Sequence, residues 1–154
     1  MPGALENRIP PPVLALGLGL LMGAAALVTP PLGAPLAARL IAGGALLAAG
    51  GVFAAPAFAA FASAGTTVDP VRIENATTLV TGGIYKFSRN PMYVALSLLL
   101  CALAAVLARP GLLAGPLVFV AFVTRFQILP EERAMRSKLG AAYEAYLGQV
   151  RRWL

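Results

Sequence analysis

Long apolar runs separated by short polar or proline-rich breaks dominate the chain. Charged side chains are almost absent from these runs: Arg39 lies near the start of one and Arg125 near the end of another. A membrane-spanning helix needs about 20 apolar residues, with a range of about 17 to 25, and a longer run is accommodated by tilt or by a kink such as Pro56. Four runs are therefore predicted to be transmembrane helices, at residues 13–29, 36–62, 91–108 and 111–129.

The connections between the runs predict how the helices pack. Only "ARPGL" separates the last two, which predicts a tight antiparallel hairpin. Small residues four apart, Gly19 with Gly23 and Gly44 with Ala48, predict close approach of helix backbones. We expect residues 1–154 to form a single all-α integral membrane domain.

The segment from residue 63 to residue 90 differs from the rest because it is polar, turn-rich and β-branched. Irregular backbone at a membrane is tolerated only where protein or water satisfies its amides, so we place this loop at the cytoplasmic interface. Loops this long are functional or disordered. Gly82, Gly83 and the corner Arg89-Asn90-Pro91 favour an ordered, functional loop.

A polar helix is predicted after the last span. Pro130 suits the first position of a helix, and Glu131 and Glu132 suit its first turn. The apolar side chains that follow recur at steps of four and three, which predicts an amphipathic helix over residues 130–150, on the membrane surface or folded over the bundle. These side chains are Met135, Leu139, Tyr143, Tyr146 and Val150. Trp153 is a candidate interfacial anchor.

Composition and charge support a membrane protein. The chain is 59% hydrophobic and 12% charged, where a soluble domain has about a quarter of its residues charged. With the N-terminus in the cytoplasm, ten of the 12 Lys and Arg residues fall on the cytoplasmic side, and Arg39 and Arg109 face outward. This positive-inside distribution accounts for the net charge of +6 without nucleic acid. The bilayer is the expected partner, both termini are predicted to be cytoplasmic, and the oligomeric state stays open.

Two common kinds of site are not expected. The chain has one cysteine, Cys101, in the middle of a predicted helix, where a small buried apolar residue is the ordinary role. It has no histidine, so the usual general base and metal ligand are missing, and no metal is expected.

Two polar clusters are candidates for a binding site. At the corner before the third run, Arg89 adjoins a helix start and Tyr93, which suits an anionic or zwitterionic ligand. Glu131 and Glu132 suit a ligand's ammonium group. Each cluster also has an ordinary interpretation: an arginine that reaches lipid phosphate, an interfacial tyrosine, and acidic residues in a first helical turn. Because the hairpin brings the two clusters to the same membrane face, together they match a ligand with both an ammonium and a carboxylate.

The segments "AGTTVDP", "LVTGGIYKFSRNPMY", "RFQILPEE" and "LGAAYEAYLGQVRRWL" follow one another in a familiar order. In this order and spacing they resemble the isoprenylcysteine carboxyl methyltransferase and phospholipid N-methyltransferase family of membrane enzymes. The resemblance covers about residues 65–154. It implies S-adenosylmethionine as cofactor, held in a pocket at the cytoplasmic mouth. By motif, the cofactor-binding residues would be Thr77, Thr78, Leu79, Val80, Tyr85, Asn90, Pro91, Met92, Tyr93, Glu131 and Glu132.

The resemblance also implies roles for individual residues. Glu131 would take the cofactor's ammonium, amides at the start of the Pro91 helix its carboxylate, and Tyr85 or Tyr93 would face the sulfonium. Arg89 and Arg125 are the candidate catalytic residues, Arg125 for orienting an anionic substrate group. Many relatives have Arg-His-Pro at the corner, and prenylcysteine-specific relatives have arginine at the position of Gln127. The acceptor therefore stays open among a prenylcysteine carboxylate, a phospholipid amine and a thiol.

The expected function is methyl transfer from S-adenosylmethionine to a lipophilic or membrane-embedded acceptor. A soluble-type methyltransferase is disfavoured because no βαβ alternation surrounds "TGGIY". The alternatives are a membrane reductase of sterol-reductase-like architecture that uses NADPH and a non-enzymatic multi-pass protein. A proton-coupled transporter needs an acidic residue within a span, and the four runs contain none.

Overall fold

The computed structural model describes residues 5–63, 79 and 81–154, and every regular element in this part of the chain is helical. The α-helices are α1 (Pro11–Val28), α2 (Leu36–Ser63), α3 (Pro91–Leu107), α4 (Ala114–Val123), α5 (Leu129–Leu139) and α6 (Ala141–Gln149). Single 3-10 turns lie at Gly83–Lys86 and Pro110–Leu113, and a π-helical turn at Thr124–Ile128 joins α4 to α5. The all-helical class is thus confirmed for the described residues.

Three helical segments are long and apolar enough to cross a bilayer. They are α1, the Leu36–Ala60 part of α2, and the continuous helix Pro110–Leu139. Their outward side chains are mostly leucine, valine and alanine, which suits contact with lipid. α3 is also apolar, but its 17 residues place it at the lower limit of about 17 for a span. The prediction of a membrane protein is confirmed, while the count of four spans is not.

α3 lies at the centre of the bundle and packs against α1, α2 and α4. Small residues on one face of α2 allow its backbone to approach α3 closely. Gly43, Gly50 and Ala57 follow one another at intervals of seven residues, and all three are buried. A Cβ atom on Gly43 would overlap Val106 Cγ2, and one on Gly50 would lie 3.4 Å from the carbonyl oxygen of Ala95. Larger side chains at these positions would force the two helices apart.

The predicted small-residue contacts are wrong in detail. A Cβ atom on Gly44 or Gly23 would meet no described atom within 4 Å, and Ala48 is exposed. Gly19 reaches Leu103, but only at ordinary contact distance, 3.7 Å. The spacing identified a helix rich in small residues, but the face that meets α3 is the neighbouring one, which contains Gly43 rather than Gly44.

The chain reverses tightly between α3 and α4. Ala108 caps α3 in the left-handed conformation with φ 53°, and its N–H donates to the carbonyls of Ala104 and Ala105. The 3-10 turn Pro110–Leu113 then leads into α4, which packs back against α3. Buried side chains of α1, α3 and α4 form the core between these helices; among them are Met22, Leu100, Phe119 and Val123.

The C-terminal segment is not the single helix predicted over residues 130–150. α5 continues the last spanning helix through the π-helical turn, and it ends at Gly140, whose φ of 52° and ψ of −128° break the helix before α6. The predicted apolar stripe still packs together, because the bend turns α6 back. Tyr143, Tyr146 and Val150 form its buried core, with Met135, Leu139, Leu147 and Leu79 against them.

The two ends of the bundle differ in charge. At one end, Arg39 donates to the Val106 carbonyl and Arg109 Nε donates to the Thr29 carbonyl at 2.6 Å. At the opposite end, the N-terminal segment contacts the π-helical turn, where Asn7 N–H donates to the carbonyl of Phe126 at 2.9 Å. The C-terminal segment contacts the corner before α3, where Arg89 N–H donates to the carbonyl of Arg151 at 3.0 Å. The two arginines predicted to face outward therefore lie together, away from the polar end.

Candidate active site

A cavity of about 510 Å³ opens at the polar end of the bundle. Its polar wall contains Tyr85, Arg89, Asn90, Tyr93 and Glu131. Its apolar wall comes from three helices, and the side chains there are Pro10, Pro11, Pro12, Leu47, Ala54, Phe58, Pro91, Met92, Ala95, Leu96 and Leu99, with Gly50 and Gly51. Ligand pockets range from about 300 to 1,000 Å³ and are mostly apolar with a few placed polar groups, so the cavity has the properties of a small-molecule site.

The corner before α3 is held in place by hydrogen bonds to the backbone. Ser88 is fully buried, and its hydroxyl accepts from the N–H of Asn90 at 3.1 Å. Asn90 Nδ2 donates to the carbonyl of Arg152 at 2.9 Å. Pro91 has no N–H, and the amides of Tyr93 and Val94 both donate to the Asn90 carbonyl. The helix start therefore offers a ligand little more than the amide of Met92.

Arg89 supplies the positive charge of this wall. Its side chain is only 11% exposed, and Nη1 lies 3.3 Å from Oε1 of Glu132. Nε and Nη1 are buried and make no hydrogen bond to any described residue. Buried donors without a partner are costly, so this guanidinium has capacity for an anionic ligand.

Glu131 is held by two donors on one of its oxygens. Tyr93 Oη donates to Oε1 at 3.0 Å, and Gln127 Nε2 donates to the same oxygen at 2.7 Å. Gln127 is buried in the π-helical turn, an irregularity found frequently at functional sites. Within the described part of the chain, Oε2 makes no comparable contact, so it can accept a hydrogen bond from a cation in the cavity.

Glu132 does not line the cavity. It is 4% exposed, and Arg152 donates to both of its oxygens, Nε to Oε1 at 2.9 Å and Nη2 to Oε2 at 2.8 Å. These charge-assisted hydrogen bonds raise the pKa of Arg152. The adjacent glutamates thus have separate roles: Glu131 faces the cavity, and Glu132 joins the C-terminal segment to Arg89.

Tyr85 links the cavity to α6. Its carbonyl accepts from the hydroxyl of Tyr146 at 2.7 Å. Burial raises the pKa of both phenols, and that of Tyr146 to about 12, so each stays neutral at physiological pH. Leu79 packs against the apolar cluster around Tyr143 and Tyr146 and does not line the cavity.

Arg125 lies outside the cavity. Its side chain is 58% exposed, and Nη1 lies 3.4 Å from Oε1 of Glu6. Oε2 of Glu6 pairs with Arg133 at 2.8 Å. The residue proposed to orient a substrate therefore pairs with the N-terminal segment on the surface, because residue 125 lies on the opposite side of the π-helical turn from Gln127.

The structure brings together seven of the 13 residues suggested from the sequence. Those that line the cavity are Tyr85, Arg89, Asn90, Pro91, Met92, Tyr93 and Glu131. Leu79, Arg125 and Glu132 are placed elsewhere, and Thr77, Thr78 and Val80 lie outside the described residues. Arg89 and Glu131, which the sequence analysis expects at the same face of the membrane, line one cavity.

Sequence reasoning missed the partners that hold the site. From the sequence, Arg152 is one of the ten residues predicted to be cytoplasmic charges, and Trp153 is a candidate membrane anchor. In the structure, Arg152 binds Glu132, and Trp153 Nε1 donates to Thr124 Oγ1 at 3.2 Å while its ring packs against the core. In the sequence, Gln127 stands out only as a departure from prenylcysteine-specific relatives, whereas in the structure it donates to Glu131. The contacts of Arg152 and Trp153 have no local sequence signal, because they join residues 20 and 29 positions apart. Gln127 and Glu131 are four residues apart, the spacing of neighbours on one helix face, and this spacing could have predicted their contact.

A cavity with a polar and an apolar wall, at one end of an apolar helical bundle, defines the class: a small helical membrane protein whose cavity has the size and lining of small-molecule sites. The family profile "Phospholipid methyltransferase" matches residues 38–142, and the chain belongs to this family. It is therefore a membrane methyltransferase. The chain is also 38% identical over 63 residues to an uncharacterized protein of Haemophilus influenzae, a match that covers 41% of this chain and 100% of that relative. No solved structure matches the chain.

Proposed function

We propose that the protein transfers a methyl group from S-adenosylmethionine to a lipophilic acceptor dissolved in the bilayer. One observation carries the proposal: a single cavity combines the carboxylate of Glu131, the guanidinium of Arg89 and an apolar wall. The first two groups complement a zwitterion, and the third suits an apolar reactant. Membership of the methyltransferase family is the reason to identify that zwitterion with the methionine end of the cofactor.

The residues of the polar wall fit this end of the cofactor. The guanidinium of Arg89, whose Nε and Nη1 make no hydrogen bond to a described residue, would bind the carboxylate, assisted by the amide of Met92. Oε2 of Glu131 would accept from the ammonium, since Oε1 already accepts two hydrogen bonds. Tyr93 would present its ring to the sulfonium, because its hydroxyl is engaged by Glu131; such cation–π contacts contribute about 0.5–2 kcal/mol.

The chemistry requires little of the protein beyond orientation. When bound, the cofactor supplies an electrophilic methyl group on a good leaving group. The protein's task is to hold the acceptor in line with that methyl group and to exclude water, and positioning of this kind lowers a barrier by up to about 7–11 kcal/mol. The rigid corner at Asn90 and the apolar wall would provide these two effects.

The apolar wall would receive the acceptor from the bilayer. Leu47 and Phe58 of α2 and Leu99 of α3 line the cavity, and they are 50%, 55% and 46% exposed. Side chains that both line a cavity and face the surroundings mark an opening between the two helices. In the isoprenylcysteine carboxyl methyltransferases that the motifs resemble, the acceptor is lipid-modified, and we propose a similarly lipophilic acceptor here. Arg125 has no role in this proposal.

Cofactor binding is the first test. The purified protein should bind S-adenosylhomocysteine in calorimetry and should not bind NADPH, the cofactor of the reductase alternative. Glu131→Gln keeps the shape of the side chain but removes its charge, so it should weaken binding of S-adenosylhomocysteine about tenfold to a hundredfold. Glu144→Gln is the matched control, because Glu144 is 56% exposed and pairs with Arg136 away from the cavity. Equal affinity in the Glu131 and Glu144 variants would remove Glu131 from the site.

The acceptor is then identified directly. Membrane extract incubated with the protein and methyl-labelled S-adenosylmethionine should yield a labelled product in the lipid fraction, to be identified by mass spectrometry. A base-labile methyl group would indicate a carboxylate acceptor, and a stable one an amine or thiol. Label that appears only in water-soluble products would contradict a lipophilic acceptor.

A further inference from the structure

We propose that Arg152 and Glu132 are positioning residues that keep the guanidinium of Arg89 available to the cofactor's carboxylate. Arg152 binds both oxygens of Glu132, and this prevents Glu132 from binding Arg89 in the same way. The inference rests on the proposed function, since it assigns the preparation of the same site to two residues that do not line the cavity.

Arg152 and Arg89 contact Glu132 with unequal strength. Arg152 makes two short hydrogen bonds to Glu132, at 2.9 and 2.8 Å. Arg89 makes a single longer contact with Glu132, at 3.3 Å, and its buried Nε and Nη1 remain without a hydrogen bond in the described structure. Two guanidinium groups thus share one carboxylate, and the excess positive charge remains on the arginine that lines the cavity.

Loss of the Arg152 side chain would change how Glu132 is shared between the two arginines. Glu132 is 4% exposed and would be left as a buried carboxylate without its two best donors. Removing one partner of a buried pair is costly, so the carboxylate would move to the nearest remaining cation, Arg89. A bidentate pair between Glu132 and Arg89 would then occupy the donors that the ligand needs.

The backbone around Arg152 is fixed independently of its side chain. The Arg152 carbonyl accepts from Asn90 Nδ2, the Arg151 carbonyl accepts from the N–H of Arg89, and Trp153 Nε1 donates to Thr124. Substitution of the Arg152 side chain should therefore leave the C-terminal segment in place. Arg151→Met is a matched control, because that side chain is exposed and its residue contributes only a backbone contact here.

The test compares two ligands on the intact protein. S-adenosylhomocysteine carries the aminocarboxylate, and methylthioadenosine lacks it. Arg152→Met should weaken binding of S-adenosylhomocysteine about tenfold to a hundredfold, while affinity for methylthioadenosine stays within about twofold. Arg151→Met should match the wild type for both ligands.

A second variant tests the mechanism itself. In the double variant with Glu132→Gln and Arg152→Met, no carboxylate remains to capture Arg89, so affinity for S-adenosylhomocysteine should recover to within about threefold of the wild type. If Arg152 only stabilised the fold, the double variant would be no better than the single one, and both ligands would be affected. Should Arg152→Met not yield folded protein, Arg152→Lys, which retains the charge but not the bidentate geometry, should bind S-adenosylhomocysteine more weakly than the wild type and methylthioadenosine equally well. Unchanged affinity for both ligands, or equal loss for both, would overturn the positioning role.

The outcomes separate this inference from the proposed function. A wild-type protein that does not bind S-adenosylhomocysteine would overturn both. Wild-type binding with unchanged affinity in Arg152→Met, or with equal loss for both ligands, would overturn the positioning role and leave the proposed cofactor intact.

Discussion

Adjacent polar side chains in this protein have different partners, and a change of one position along a helix alters the role of a residue. Glu131 and Glu132 are adjacent, yet the first faces the cavity and the second is bound by Arg152. On a helix, consecutive side chains point about 100° apart, so neighbouring residues face different surroundings. The sequence predicts that this acidic pair belongs to a site, but only the fold separates a cavity-facing carboxylate from one that is bound by Arg152.

The hydroxyl of Tyr146 should make the stability of the protein depend on alkaline pH. It donates to the Tyr85 carbonyl at 2.7 Å, and burial raises its pKa to about 12 from about 10 in an unfolded chain. The raised pKa means that the folded state retains the proton longer than the unfolded state. Its contribution is therefore complete below pH about 10 and is lost as the pH rises towards 12.

Tyr146→Phe tests this contribution. The variant should lose about 0.5–1.5 kcal/mol of stability near pH 8, where the hydrogen bond is intact, and should show a weaker fall between pH 10 and 12. Thermal unfolding in detergent, followed by circular dichroism at pH 8 and across the range from pH 10 to 12, measures the two effects. An alkaline fall of the same size in wild type and variant would show that other groups cause it.

At the scale of helices, apolar runs and prolines were sufficient to place most of the elements. α1 and α3 begin at or beside Pro11 and Pro91, as expected where a missing N–H is harmless. The break at Gly140 was not predicted, because the apolar stripe continues through it at helical spacing. A glycine within a good amphipathic pattern does not show whether the helix continues, and here a positive φ ends it.

The close packing of α2 against α3 predicts that a larger side chain at Gly43 destabilises the protein. Gly43→Leu should force the two helices apart and destabilise the protein by about 1–3 kcal/mol, because its side chain would overlap Val106 and approach Ala102. Gly44→Leu is the control: it adds the same side chain to the next position, where a Cβ atom meets nothing within 4 Å. The midpoint of thermal unfolding in detergent should fall for the first variant only. A similar fall for both would mean that helix propensity or lipid contact dominates.

For the whole molecule, the sequence was most informative about which segments meet at one end. Charge distribution and the short turn before α4 placed Arg89 and Glu131 on one face, and both line the cavity. The contact between the C-terminal segment and Asn90 could not be predicted from the sequence, because residues 62 positions apart leave no periodic signal. Long-range polar pairs depend on the completed packing of the helices between them.

The orientation of the bundle remains a prediction that can be measured. On a Cys101→Ala background, Lys138→Cys would mark the polar end and Ala34→Cys, in the connection between α1 and α2, the opposite end. The distribution of Lys and Arg predicts that a membrane-impermeant thiol reagent labels residue 34 in intact cells and labels residue 138 only after the inner face is exposed. The reverse pattern would place the cavity on the outer side of the membrane.

The late position of Arg152 along the chain has a consequence for biosynthesis. Translation releases Arg89 and Asn90 from the ribosome about 60 residues before the groups that fix them. While the third and fourth apolar segments enter the translocon, Glu132, the counter-ion of Arg89 in the folded protein, has not yet emerged. The nascent polypeptide therefore lacks the contact between Asn90 and Arg152 during insertion, and the corner before α3 gains this hydrogen bond only after Arg152 has emerged.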